Sequence, residues 1–89
     1  MNPMKYKLAD NVSFTEVDDE AVLLNLNSGA YYGLNHVGTL LMAHLQQEHT
    51  VEHASAEIAE HYQTPNTTVS SDINALIEQL LEQKLIIAL

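Results

Sequence analysis

Ala21-Val22-Leu23-Leu24-Asn25-Leu26-Asn27-Ser28-Gly29-Ala30-Tyr31-Tyr32-Gly33-Leu34-Asn35 is the stretch whose reading sets the fold class. Its first six residues read as a strand with Val22, Leu24 and Leu26 on one face. Asn27-Ser28-Gly29 tolerates the positive φ of a tight turn. Ala30-Tyr31-Tyr32-Gly33 follows as a short strand rich in β-favouring aromatics. Two strands joined in this way predict an antiparallel hairpin. At Gly33-Leu34-Asn35 the pattern changes to helix. The Asn35 side chain suits an N-cap, and Val37, Leu40, Leu41 and Leu45 recur at helical spacing before the pattern fades in Gln46-Gln47-Glu48-His49.

Upstream, Val12 to Val17 predicts another strand, with Ser13 and Thr15 on the face opposite Val12 and Phe14. Asp18-Asp19-Glu20 is the polar turn that joins it to the hairpin. Downstream, Thr50 caps a second helix with Val51, Ala54, Ile58 and Tyr62 on one face and Glu52 in the first turn, where the dipole favours an acid. Gln63-Thr64-Pro65-Asn66 breaks that helix, because proline disfavours helix in its predecessor. Thr67 or Thr68 opens the longest helix, with Asp72 in its first turn and Lys84 in its last. Its apolar stripe is Val69, Ile73, Leu76, Ile77, Leu80 and Leu81. Leu85 to Leu89 is an apolar tail that either extends the helix or turns back onto the core. Three strands and then three helices predict an α+β fold with an antiparallel N-terminal sheet. Two short helices and a longer third beside such a sheet fit a winged helix-turn-helix.

The 89 residues are expected to form a single domain over 1–89, and a hydrophobic fraction of 46% supports a packed core. With no cysteine, a disulfide framework or thiolate metal site is excluded. The start, Met1-Asn2-Pro3-Met4-Lys5, has no long apolar run, and nowhere is there the run of about 20 apolar residues that spans a bilayer. The chain is therefore expected to be cytoplasmic, with no membrane partner. Its net charge is −9, from 12 acids against Lys5, Lys7 and Lys84 with no arginine. A duplex binder gains affinity by neutralising phosphates, so nucleic acid is not an expected partner.

Chemistry-bearing motifs are scarce. Of His36, His44, His49, His53 and His61, only His49 and His53 have a spacing suited to two ligands on one helical turn. Thr50 as the cap leaves His49 outside the helix, and no third ligand is evident, so no metal site is expected. Asp18, Asp19 and Glu20 read as a solvated turn. Ser70-Ser71 has no nucleophile motif around it, and three glycines leave little for a phosphate cradle. A non-catalytic domain without a cofactor is expected. Asp72 has two readings, a helix-dipole acid or an exposed contact to a partner.

Tyr31-Tyr32 points to a different kind of function. Neighbours in a strand face opposite ways, so one tyrosine meets the helices and the other faces out. Both can be ordinary strand aromatics. If the strand lies at a sheet edge, its free N–H and C=O groups can template another strand. An open edge beside an apolar helix flank is then a peptide-binding groove. Ala30 to Gly33, running into Leu34, would supply main-chain bonds. On the long helix, Asp72, Leu76, Gln79 and Gln83 share one flank of the stripe, with Ala75 beyond them. That flank is the expected groove wall; Ile77, Leu81 and Asn74 form the competing one.

The run from Ala21 to Asn35 resembles the signature of the PqqD-like proteins, the precursor-peptide recognition elements of ribosomal peptide modification pathways. Thr50-Val51-Glu52, Tyr62, Val69-x-x-Asp72-Ile73 through Leu80, and Leu85-Ile86 fit the same pattern, so the resemblance spans residues 12–87. It implies a winged helix-turn-helix with three N-terminal strands and three helices. It further implies that a precursor's leader segment lies antiparallel to the third strand, between that strand and the last helix. The domain would hand the substrate to a separate modifying enzyme or leader peptidase. Stand-alone domains of this size occur in several such pathways, notably lasso peptide biosynthesis. The acidic surface implies a leader with basic or neutral flanks. The alternatives are a winged-helix nucleic-acid binder, which the charge opposes, and a self-associating assembly module that pairs the same edge with itself.

Overall fold

The computed structural model describes residues 3–89; Met1 and Asn2, part of the N-terminal reading, lie outside them. The chain forms β1 (Tyr6–Leu8), β2 (Val12–Val17), β3 (Glu20–Asn25), β4 (Tyr31–Leu34), α1 (His36–Gln46), α2 (Val51–Tyr62), α3 (Asn66–Glu82) and β5 (Ile86–Ala88). Strands β2, β3 and β4 make a three-stranded antiparallel sheet in that order. The expected α+β fold, an N-terminal antiparallel sheet followed by three helices, is therefore present, in a layout compatible with a winged helix-turn-helix.

The hairpin forms where expected. Ala21 and Leu23 are buried, and their partners across the ladder are Leu34 and Tyr32. Val22 and Leu26 share the other face, as read from the sequence, and that face is the exposed one. Both faces of this strand are apolar, so alternation alone could not choose between them. The helices cover the Ala21 and Leu23 face, and a period of two then puts every other residue outside. Asn25 organises the turn. Its side-chain oxygen accepts from the N–H groups of Asn27 at 2.9 Å and Ser28 at 3.1 Å, and from the Asn11 side chain at 3.0 Å. Gly29 takes φ +79°, which glycine adopts without steric penalty.

The helix starts follow side-chain capping. Asn35 accepts from the Gly38 N–H at 3.0 Å, and Thr50 accepts from the His53 N–H at 3.0 Å. Each bond satisfies an amide that the first turn leaves without a helical partner. α3 opens at Asn66, ahead of Thr67, so Asp72 falls beyond the first turn. This corrects the expected position and removes the dipole reading of that acid, since the helix field fades within one turn.

All three helices end in the same way. Glu48, Gln63 and Lys84 adopt left-handed backbone with φ 62°, 52° and 59°. The next N–H turns back to a carbonyl five residues earlier: His49 to His44, Thr64 to Ala59 and Leu85 to Leu80. These are Schellman caps. Lys84 thus stands beyond α3 rather than in its last turn, and the cap decides the fate of the tail. Chain reversal at Lys84 brings Leu85 and Ile86 into the core and lets β5 pair antiparallel with β1. This two-stranded sheet was not foreseen, because three residues per strand are too few to show a period. The core lies between the sheets and the helices, around Leu23, Leu41, Ile58, Ile73, Leu80 and Ile86. Among the described residues, no helix is long and apolar enough to cross a membrane.

Candidate functional site

Strand β4 lies at the end of its sheet, so among the described residues one of its edges has no neighbouring strand. The phase of the ladder tells which groups that edge presents. The Asn25 N–H donates to the Ala30 carbonyl at 2.8 Å. In an antiparallel pair, hydrogen-bonded and non-hydrogen-bonded positions alternate. With Leu23 opposite Tyr32 and Val22 opposite Gly33, Tyr32 and Leu34 spend their main-chain groups on β3. Tyr31 and Gly33 direct theirs to the open edge.

A groove of about 360 Å³ runs between β4 and α3, lined by Tyr32, Gly33 and Leu34 from the strand and Asp72, Ile73 and Leu76 from the helix. Asn35, Val37 and Gly38 at the start of α1 complete its lining. The Tyr32 hydroxyl donates to Gln79 Oε1 at 3.0 Å, tying strand to helix. Tyr31 is 77% exposed on the opposite face of the sheet, so Tyr32 is the tyrosine that faces α3. A second depression, with Val17, Asp18, Glu20 and Val22, shares Gly33, Leu34 and Asn35 with the first. The two meet at the end of β4. No lysine lines either depression, and Asp72, Asp18 and Glu20 make their walls acidic.

Of the residues singled out from sequence, Tyr32, Gly33, Leu34, Asp72 and Leu76 come together in the groove, with Gln79 bonded across it. Ala30 lies at the foot of β4 with its carbonyl engaged by Asn25. Two others lie apart from the groove. Ala75 lies on the other flank of α3, in a depression with Tyr6, Asn74, Ile77 and Leu81, because it is turned away from Leu76 along the helix. Gln83 is the C-cap residue, outside that lining. Asn35, Val37 and Gly38 were missed as lining residues. Gly38 carried a signal: a Cβ there would lie 3.1 Å from Leu34 Cδ2 and 3.2 Å from Leu76 Cδ2, so this glycine marks close approach of α1 to the groove floor.

The histidines also regroup. His36 Nδ1 is hydrogen-bonded to the Tyr62 hydroxyl, and both rings meet His61 edge to face. The expectation that His49 and His53 lack a third partner is corrected, since the α1–α2 turn brings His44 to them.

The sequence matches the family model described as Coenzyme PQQ synthesis protein D (PqqD) over residues 20–86. The fold is similar to that of TbiB1 in complex with the TbiA(beta) leader peptide, at 31% identity and a TM-score of 0.83, over 90% of this chain and 93% of that one. It is similar also to lasso peptide synthetase B1 complexed with the leader peptide, at 26% identity and a TM-score of 0.85, over 93% and 98% of the two chains. No curated protein matches the sequence.

Proposed function

The chain belongs to the PqqD family, and from that premise we propose that it binds the leader segment of a ribosomally made precursor peptide by strand addition and delivers it to a separate modifying enzyme or leader peptidase. The observation that carries this reading is the unpaired edge of β4 facing α3 across a groove lined by Tyr32, Leu34 and Leu76. Strand addition needs a row of free main-chain groups for affinity and pockets for alternate side chains for specificity. Tyr31 and Gly33 supply the first; the groove supplies the second. The leader lies antiparallel to β4, and its inward side chains pack between Tyr32 and Leu76. Both structural relatives are leader-peptide complexes, which supports the same use of this fold. The second of them is lasso peptide synthetase B1, and this favours a lasso-type pathway.

The domain acts as a binding module rather than an enzyme, and it works in the cytoplasm as one unit. Its groove is open, and among the described residues that line it Asp72 is the one carboxylate and no nucleophile–base pair is present to drive catalysis. Titration of labelled protein with a synthetic precursor leader peptide tests the proposal. Amide shifts concentrated at residues 30–34 and 72–79 are expected, with little change in α2. Shifts confined to other surfaces would remove the groove from the mechanism. A peptide-free dimer that protects the amides of Tyr31 and Gly33 would favour self-association through β4.

A further inference from the structure

Three imidazoles gather at the end of the molecule away from the groove. α1 places its first residue, His36, beside the groove and carries His44 eight residues further on, a rise of about 12 Å. The Schellman cap at Glu48 then reverses the chain, and the His49 N–H returns to the His44 carbonyl at 3.1 Å. Thr50 starts α2, and the amide it caps belongs to His53. Two helix ends and one turn thus converge His44, His49 and His53 from a stretch of ten residues.

We propose that His44, His49 and His53 bind one divalent transition-metal ion of the zinc class. Their candidate ligand nitrogens all lie within 4.8 Å of one another, and the Nδ1 atoms of His44 and His49 are 2.9 Å apart. That 2.9 Å approach is a hydrogen bond between the two rings; nitrogens at the usual 2.0–2.1 Å from one tetrahedral ion are about 3.3 Å apart, so the ion would replace this hydrogen bond and draw His53 to the same centre. Ring centroids 4.5 to 5.8 Å apart leave the three planes crossed rather than stacked. Such crossing lets lone pairs aim at a common point. The Glu57 carboxylate lies 3.7 Å from His53 Nε2, which places negative charge beside the ion and an outer partner on a ligating ring. Imidazoles suit zinc, copper and nickel, whereas magnesium and calcium prefer oxygen. Three protein ligands leave a fourth position for water.

The electrostatics agree with the geometry. Burial, and then the neighbouring His49 and His53, hold the His44 imidazole below its ordinary range, against an opposing pull from Glu57. A neutral ring is the form that ligates a metal. The ion would join the end of α1 to the start of α2, and so brace the turn without entering the peptide groove.

Titration of metal-stripped protein with zinc chloride, read by calorimetry and by the imidazole resonances, tests the site. One equivalent is expected to bind, moving the signals of His44, His49 and His53 but not those of His36 and His61. His44→Gln, His49→Gln and His53→Gln should each weaken zinc binding by on the order of tenfold or more. The paired His36→Gln and His61→Gln change should leave it unaltered. Amide spectra confirm folding of each variant, and the wild-type resonances give the same answer without any substitution. Absence of binding at millimolar zinc, equal shifts at all five histidines, or an affinity indifferent to His44→Gln would each overturn the proposal.

Discussion

Gly33 is where a single main-chain group can be removed without disturbing the sheet. Its N–H points to the open edge, because the ladder to β3 uses Tyr32 and Leu34. Proline is tolerated at an edge strand when the missing N–H faces away from the ladder. Gly33→Pro is therefore expected to leave stability within about 1 kcal/mol while weakening leader binding up to about tenfold, the worth of one hydrogen bond. Denaturant titration and calorimetry with the leader check the two halves. Gly38 tests the groove floor. Alanine there gains about 1 kcal/mol of helix propensity but crowds the Cδ2 atoms of Leu34 and Leu76. Gly38→Ala should thus be near neutral in stability and should lower leader affinity as Leu76 is pushed into the groove. Leu76→Asp puts a charge on that wall, beside Asp72, and should weaken binding more strongly. Unchanged affinity in a folded Leu76→Asp protein would rule out this flank. Asp72, Leu76 and Gln79 were legible from the sequence because helical geometry puts them on one flank. The tyrosine that faces them was not, because either parity of the strand satisfies a short aromatic pair.

At the scale of the element, the caps offer a clean test. Gln63 ends α2 in left-handed backbone, which strains any residue with a Cβ. Gln63→Gly is expected to raise stability by about 0.5–1 kcal/mol, less than the relieved strain because glycine also loosens the unfolded chain. A fall in the denaturation midpoint would count against the cap geometry. β5 gives the opposite case. Ile86 is 2% exposed and holds the C-terminal strand against the core and β1. Ile86→Ala should cost about 2–5 kcal/mol, a large share of the stability of a small domain. Loss of less than 1 kcal/mol would mean that this two-stranded sheet contributes little. The N-caps Asn35 and Thr50 could be read from sequence because capping is local chemistry. The C-terminal caps were missed because their residues are glutamate, glutamine and lysine rather than glycine.

Across the whole molecule, charge sets the character of the partner. Twelve acids oppose three lysines, and the acidic walls of the groove carry that sign to the proposed leader. Exposed charges are screened beyond a Debye length, about 10 Å at 0.1 M salt and 3 Å at 1 M. Leader binding is expected to weaken as salt rises from 0.05 to 0.5 M if the flanks of the leader are basic, chiefly through slower association. Stopped-flow rates that do not change with salt would show that the flanks are neutral and that the strand and groove account for the affinity.

The pattern of residues was enough to read β2, β3, β4 and the three helices in their order, the hairpin, the N-caps Asn35 and Thr50, and the shared flank of Asp72, Leu76 and Gln79. These follow from periods of two and 3.6 and from side chains that bond their own backbone. Tertiary structure alone decided which face of β3 is buried, that the tail returns as β5, that Tyr32 rather than Tyr31 faces α3, and that His44 joins His49 and His53. Each of these depends on contacts between segments distant in the chain or on backbone reversal at residues with no strong local preference. Local pattern leaves such choices degenerate, and packing of the helices on the sheet resolves them.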